Sequence, residues 1–163
     1  MIVKYDHLVG KSFSYGKQDC LSLFRDFYKD NFGIVLPNYA RPKVWWENGL
    51  NLYSDLARKN GFVVLDCHPS DYQLGDVILM AVQAEVGNHV GILVEDGKIL
   101  HHLYGRLSVV ERYSGLTRNT TLAVYRHKQV KLDQEEIETN LLDIVSPNVK
   151  RKLDDYLRTS QDV

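Results

Sequence analysis

The sequence feature that most constrains the fold is a pair of apolar segments joined by a tight turn. Residues 89–94 and 98–103 are rich in aliphatic side chains, and Asp96-Gly97 lies between them. An Asp-Gly pair between two segments of this kind is typical of a β-hairpin. The chain is therefore predicted to contain an antiparallel pair of strands around which its other elements pack.

The length of the hairpin loop decides which histidine of the second strand lies beside His89 of the first. Side chains alternate between the two faces of a strand, so a shift of one residue exchanges His101 for His102. A two-residue turn predicts His102. A three-residue loop, with Gly97 left-handed at a bulge, predicts His101. Both registers place a histidine next to His89, and the residues alone leave the choice open.

A helix that begins at a cysteine precedes the sheet. Asp19 has the short acceptor side chain of a helix N-cap, and apolar side chains follow Cys20 at helical spacing up to about Asn31, with Gly33 as a stop signal. In the first turn, free backbone N–H groups and the helix dipole favour an anion. This position predicts a Cys20 thiol whose pKa lies below its usual value of about 8.5, and hence a nucleophile. The alternative is a buried core cysteine.

The rest of the chain has an α+β pattern. Short helices are predicted near Trp45 and over residues 53–59. The further expected strands are residues 62–65, 77–80, 107–112 and 121–127. A leading helix followed by strands with mostly short connections predicts an α+β domain with an antiparallel sheet over residues 1–127. The charged, amphipathic sequence beyond it predicts a helical C-terminal extension over residues 128–163.

Composition argues against several functional classes. The 163-residue chain has a net charge of −1, so no basic excess is available for binding nucleic acid. Cys20 and Cys67 are too few for a disulfide framework, and both are expected to be reduced. No further ligand joins Cys67 and His68 at metal-site spacing, so we expect no metal and no cofactor. Without an apolar signal segment or a membrane-spanning run, the chain is predicted to stay in the cytoplasm, outside any membrane.

The reactive groups follow the order of a cysteine acyl-transfer enzyme. Cys20 would attack a carbonyl, and His89 would take the thiol proton and give it to the leaving amine. A second histidine would fix the tautomer of His89. The Cys20 backbone N–H and the Tyr15 hydroxyl are candidate oxyanion donors. The alternatives are structural histidines of a half-exposed sheet, or a zinc site built from Cys20, His89 and His101.

Several separated motifs resemble the NlpC-type cell-wall peptidases, a papain-like family. These motifs are Tyr15-Gly16, Asp19-Cys20 and residues 74–77, 89–92 and 96–101. The resemblance implies a papain-like NlpC-type fold with Cys20 as nucleophile, His89 as base and His101 as orienting residue. It thereby selects the three-residue hairpin loop. It also implies that Tyr15 and Asp19 lie at the oxyanion and substrate-binding site.

A narrower resemblance is to the tail-tip assembly proteins of tailed phages, of the lambda K type. It depends on residues 36–39, Trp45-Trp46, residues 51–53 and residues 100–108. Together with the first set of motifs, the match covers about residues 10–127. It implies a tail-tip protein with a cysteine hydrolase site, present in the host cytoplasm during assembly and at the virion tail tip. The implied partners are other tail-tip proteins, and the implied substrate is a peptidoglycan peptide.

One departure from the peptidase pattern supports a different function. The peptidases usually carry Ser-Gly after the Asp-Cys pair, where this chain has Leu21-Ser22. Those small residues shape the site that receives the stem-peptide end. The alternative function is therefore a structural tail-tip component with a vestigial or occluded active site.

Overall fold

The structure, a computed structural model, describes residues 2–131. Within that range the α-helices are α1 (Cys20–Phe32), α2 (Leu52–Lys59) and α3 (Gly115–Asn119). The strands are β1 (Phe62–Val64), β2 (Val77–Met80), β3 (His89–Glu95), β4 (Lys98–His101), β5 (Val109–Arg112) and β6 (Thr121–His127). Short 3₁₀ turns occupy Asp6–Leu8, Trp45–Asn48 and Pro69–Asp71.

The strands form one antiparallel sheet in the order β1-β6-β2-β3-β4-β5. Helix α1 packs against β3 and β4. Ile92 and Leu100 join the main core cluster that includes α1, whereas Leu93 and Ile99 belong to a separate cluster. The alternation of side chains along each strand explains this division into two apolar clusters. The predicted α+β fold class, with a helix on an antiparallel sheet, is confirmed.

Helix α1 begins and ends where the sequence indicates. The Asp19 side chain accepts a hydrogen bond from the Ser22 N–H, and Gly33 ends the helix in the left-handed conformation with φ of 67°. A cap of this kind stabilises a helix by about 1 kcal/mol. Phe27 and Tyr28 are fully buried against the sheet, so packing fixes the direction in which α1 presents its first turn.

The β3–β4 hairpin combines features of both predicted loops. Glu95 pairs with Lys98 across a two-residue turn, but the register shifts between Leu93 and Glu95, and Gly91 then pairs with His101. The extra residue in β3 is a bulge. Because Gly91 lies two residues after His89 on the same strand face, His101 rather than His102 shares the face of His89.

Two local features differ from the sequence-based expectation. The segment between the strands expected at residues 107–112 and 121–127 contains a helix that the sequence does not predict, because Ser114 and Thr117 exchange the capping hydrogen bonds that begin α3. The strand expected from residue 107 starts at Val109. Ser108 is instead tied to the N-terminal segment, since its hydroxyl donates to the Leu8 carbonyl at 2.6 Å.

The predicted helical extension over residues 128–163 falls almost entirely outside the described residues. The domain boundary at residue 127 therefore stays a prediction. Among residues 2–131, the structure contains no helix of the length and apolar character needed to cross a membrane.

Candidate active site

A cavity of about 670 Å³ lies beside the first turn of α1 and the start of β3. Cys20 and His89 both line it. Its aromatic lining residues are Phe13, Tyr15, Trp45, Trp46, Tyr53 and Tyr104. The thiol and the imidazole that the sequence predicts to react together are thus brought to one cavity from positions far apart in the chain.

The Cys20 thiol is almost buried, with 7% of the residue exposed. Its Sγ lies 3.6 Å from the Tyr53 hydroxyl, and the Val90 backbone N–H is directed at it. Burial and then the Asp19 charge raise the pKa of Cys20, and they outweigh the lowering by the Val90 N–H, Tyr53 and Arg41. The expectation of a lowered pKa at the helix start is wrong, because desolvation of the thiolate exceeds the effect of the N-terminus.

The His89 imidazole is held in its neutral form. Burial, followed by the neighbouring His101 and His102, lowers its pKa to about 3. Its Nε2 lies 3.1 Å from His101 Nδ1, and its Nδ1 has no hydrogen-bond partner among residues 2–131. No hydrogen bond joins His89 to the Cys20 sulfur in this part of the chain. The two groups share the cavity, and His89 has a ring nitrogen left to accept a proton.

His101 supports His89 from the neighbouring strand. Only 1% of His101 is exposed, and it does not line the cavity. Its Nε2 lies 3.1 Å from Glu111 Oε1, a close contact with the carboxylate that is not an aligned hydrogen bond. Burial lowers the pKa of His101, and the Glu111 charge opposes that change. Glu111, His101 and His89 form a row of side chains that runs from the surface of β5 to the cavity.

The carboxylate of Asp19 is fully engaged by protein donors. It accepts from the Gly16 N–H at 2.8 Å and from the Ser22 N–H and hydroxyl at 3.0 Å. Arg41 Nη2 donates to both of its oxygens, at 2.6 and 2.5 Å. Burial alone would raise the pKa of Asp19, but the hydrogen bonds from Arg41, Ser22 and Gly16 hold it below its usual value. The buried ion pair fixes the chain immediately before Cys20.

Of the tyrosines that line the cavity, Tyr15 and Tyr53 have different hydrogen-bond partners. The Tyr15 hydroxyl donates to the Pro42 carbonyl at 2.7 Å, whereas the Tyr53 hydroxyl contacts the Cys20 sulfur. Burial and the nearby Cys20 raise the pKa of Tyr53 well above its usual value, so its proton is retained. The oxyanion and substrate-binding roles of Tyr15 and Asp19 stay predictions.

Sequence reasoning missed Arg41, Tyr53 and Glu111. Arg41 lies in an irregular segment without periodicity, and no pattern in the sequence pairs it with Asp19. In the sequence, Tyr53 belongs to a predicted short helix and to the tail-tip motif at residues 51–53, and neither predicts a contact with the sulfur. Its packing against Trp45, with ring centroids 5.0 Å apart, brings its hydroxyl to the sulfur, and the neighbouring tryptophans were the only available signal.

The other cysteine does not belong to a visible metal site. Cys67 is exposed, and His68 Nδ1 lies 2.9 Å from the Ser70 hydroxyl, next to the 3₁₀ turn at Pro69–Asp71. Across residues 2–131, no group of three or more His, Cys, Asp or Glu side chains is arranged to hold a metal ion.

Comparison with known proteins agrees with this arrangement of elements. The model of the NlpC/P60 family matches residues 10–126. The chain belongs to the NlpC/P60 family. A solved structure from Staphylococcus aureus subsp. aureus Mu50, described as similar to a lipoprotein of the NLP/P60 family, aligns with a TM-score of 0.51 at 18% identity. The alignment covers 74% of this chain and 38% of that one, and it shows a shared fold alone.

Two curated relatives carry the name tail tip assembly protein K. The protein from Escherichia phage lambda is 39% identical over 122 residues, which is 75% of this chain and 60% of the relative. The protein from Escherichia phage N15 is 37% identical over 126 residues, or 76% of this chain and 51% of the relative. This NlpC/P60 chain therefore spans about half to three fifths of the length of these relatives.

Proposed function

We propose that this NlpC/P60 protein hydrolyses a peptide amide bond, with Cys20 as the nucleophile, His89 as the base and His101 as the residue that orients His89. One observation carries the proposal: Cys20 and His89 line the same cavity while His101 is within hydrogen-bond distance of the His89 ring. Membership of a family composed mainly of cysteine peptidases and amidases supports the same reaction class.

The proposed reaction has two acyl-transfer steps. In the first, the Cys20 thiol proton moves to His89 Nδ1 as the sulfur attacks the carbonyl carbon. The Cys20 backbone N–H and the Tyr53 hydroxyl are the donors available to the oxyanion. When the C–N bond breaks, the leaving amine takes the proton from His89 and a thioester remains. In the second step, water loses a proton to His89 and attacks the thioester; the C–S bond then breaks, the Cys20 sulfur takes the proton from His89, and the carboxylic acid is released.

The resting site holds a neutral thiol and a neutral imidazole. Burial raises the pKa of Cys20 and lowers the pKa of His89 to about 3. Both shifts disfavour a preformed thiolate–imidazolium pair. Proton transfer therefore accompanies substrate attack, and the Val90 N–H and the Tyr53 hydroxyl stabilise the thiolate as it forms.

We place this activity at the tip of a phage tail. Both curated relatives are named tail tip assembly proteins, and the chain is similar to them over about three quarters of its length. The proposed partners are other tail-tip proteins, and the proposed substrate is a peptidoglycan peptide or a tail protein trimmed during assembly. The protein would act in the host cytoplasm during assembly and at the virion tail tip afterwards.

Two observations favour a second function. Cys20 is only 7% exposed, and Leu21 follows it where the peptidases usually carry serine. Both features are expected of a structural tail-tip component whose active site is occluded. The two functions predict opposite results for turnover by the purified chain.

The test compares three variants on muropeptides, with release of new amino groups as the readout. Wild type and Cys67→Ala, which removes the exposed cysteine as a matched control, should turn over alike. Cys20→Ala should abolish turnover, and His89→Gln should reduce it by about 10²- to 10⁴-fold, the usual contribution of a positioned base. Turnover retained in Cys20→Ala contradicts a cysteine mechanism.

Alkylation by iodoacetamide provides a second readout that needs no substrate. Under the proposed mechanism, labelling of Cys20 depends on His89 and differs from labelling of Cys67. Labelling of Cys20 that is slower than labelling of Cys67 and is unchanged in His89→Gln, together with the absence of turnover in every variant, identifies the structural function instead.

A further inference from the structure

The register of β4 and β5 brings a carboxylate to the far side of His101. Ile99 pairs with Glu111 and His101 pairs with Val109, so Glu111 lies diagonally from His101 on the same sheet face. Diagonal neighbours on adjacent strands are within reach of a long side chain. Glu111 Oε1 indeed lies 3.1 Å from His101 Nε2.

His101 Nε2 has no better partner in the described part of the chain. The atom is shielded from solvent and makes no hydrogen bond among these residues. A proton on Nε2 faces a carboxylate oxygen, whereas a lone pair on Nε2 would face the same oxygen with repulsion. The contact with Glu111 therefore favours the His101 tautomer that carries its proton on Nε2.

The tautomer of His101 determines which ring nitrogen of His89 carries the proton. With its proton on Nε2, His101 presents the lone pair of Nδ1 to His89 Nε2, 3.1 Å away. His89 must then carry its own proton on Nε2 to donate that hydrogen bond, which leaves the lone pair on His89 Nδ1. In the opposite tautomer, His101 would carry its proton on Nδ1 and donate it to His89 Nε2. His89 would then carry its own proton on Nδ1, and Nδ1 could not accept the proton of the thiol.

We propose that Glu111 is a positioning residue that selects, through His101, the tautomer in which His89 Nδ1 can act as the base toward Cys20. The proposal rests on the function proposed above, and it adds to Cys20, His89 and His101 a fourth group, Glu111, that contacts neither the substrate nor the sulfur. His89, His102 and Arg106 are the other titratable groups beside His101, and Glu111 is the acidic group whose charge acts on it within residues 2–131.

The substitution Glu111→Gln tests the proposal because it keeps the shape of the side chain and removes its charge. A glutamine presents either an oxygen or an amide group to Nε2, so it no longer selects one tautomer. Glu95→Gln is the matched control: Glu95 lies on β3 of the same sheet and pairs with Lys98 at 2.6 Å, but no hydrogen bond or ion pair among residues 2–131 joins it to His101.

The decisive readout is the tautomer itself, measured from the imidazole ¹⁵N chemical shifts of ¹⁵N-histidine-labelled protein. In wild type and Glu95→Gln, we expect both His89 and His101 to carry the proton on Nε2. In Glu111→Gln, we expect a mixture with the Nδ1-protonated form at both histidines. Unchanged tautomers in Glu111→Gln, or the same change in Glu95→Gln, overturn the proposal.

Turnover separates this proposal from the proposed function. Residues that orient a functional histidine commonly change activity by about 10- to 100-fold, and half-exposed Glu111 belongs at the lower end, so we expect about a tenfold fall in kcat with little change in KM. A tautomer shift without any turnover in wild type supports the role of Glu111 and counts against hydrolysis. If Glu111→Gln leaves the tautomers unchanged and wild type turns over substrate, the proposed role of Glu111 is contradicted and the proposed hydrolysis is not.

Discussion

The neutral, buried state of His89 makes the stability of the protein depend on pH. The pKa of His89 is about 3 in the folded protein, against about 6.5 for a histidine in an unfolded chain. Above pH 6.5 neither state binds the proton, and the group contributes no pH dependence. As pH falls from about 6.5 toward 3, the unfolded chain binds a proton that the folded protein excludes, so stability is lost across this window.

The size of the effect follows from the difference in pKa. Each unit is worth about 1.36 kcal/mol, so lowering the pH from about 7 to 5 costs about 2 kcal/mol through His89 alone. Replacement by glutamine, which does not titrate, removes this contribution. Urea unfolding at the two pH values should therefore show a stability loss smaller by about 2 kcal/mol in His89→Gln than in wild type.

Other buried histidines also make the folded protein less stable as the pH falls. The quantity to measure is therefore the difference in stability loss between wild type and His89→Gln. Burial also lowers the pKa of His101, His102 and His127. His68→Gln removes an exposed histidine and serves as the matched control, with the wild-type loss retained. An equal loss in wild type and His89→Gln would show that His89 is not held neutral, and the argument for its role as a base would fail.

Three further substitutions test the structure around the site. Arg41→Met leaves the capping carboxylate buried without its partner and should cost about 3–5 kcal/mol in urea unfolding. In Gly91→Ala, the new Cβ would meet Ile99 Cδ1 at 2.5 Å, so we expect a loss of about 1–3 kcal/mol by thermal unfolding; Ile99→Val removes that methyl group and should restore part of it in the double variant. Tyr53→Phe keeps the ring packing and should lower turnover by roughly 100-fold, measured on muropeptides, if the hydroxyl serves the oxyanion.

Local rules explain why much of the fold could be predicted from the sequence. The cap at Asp19 and the stop at Gly33 depend on side-chain and backbone properties of those residues alone. The strand pattern and the Asp96-Gly97 turn are equally local. These signals predict α1, the hairpin and the antiparallel sheet without any information about contacts between distant residues.

The remaining features depend on contacts between distant segments. The bulge in β3, which places His101 rather than His102 beside His89, arises from pairing across the hairpin, and residue types near the turn fit either register. Arg41 reaches Asp19 from a loop 22 residues away. Glu111 meets His101 only because β5 pairs with β4. No periodicity within one segment carries this information.

The thiol pKa shows how a correct local rule can give a wrong result. A helix N-terminus does favour an anion, but its effect is small when the site is exposed and is opposed by burial when the site is not. Burial raises the pKa of Cys20 and lowers that of His89, so the same desolvation acts on both groups in the direction that keeps them neutral. Under the proposed mechanism, the charges therefore exist only while a substrate occupies the cavity. A site built this way needs hydrogen-bond donors fixed at the sulfur in advance, which gives the Val90 N–H and the Tyr53 hydroxyl a purpose that packing alone would not require.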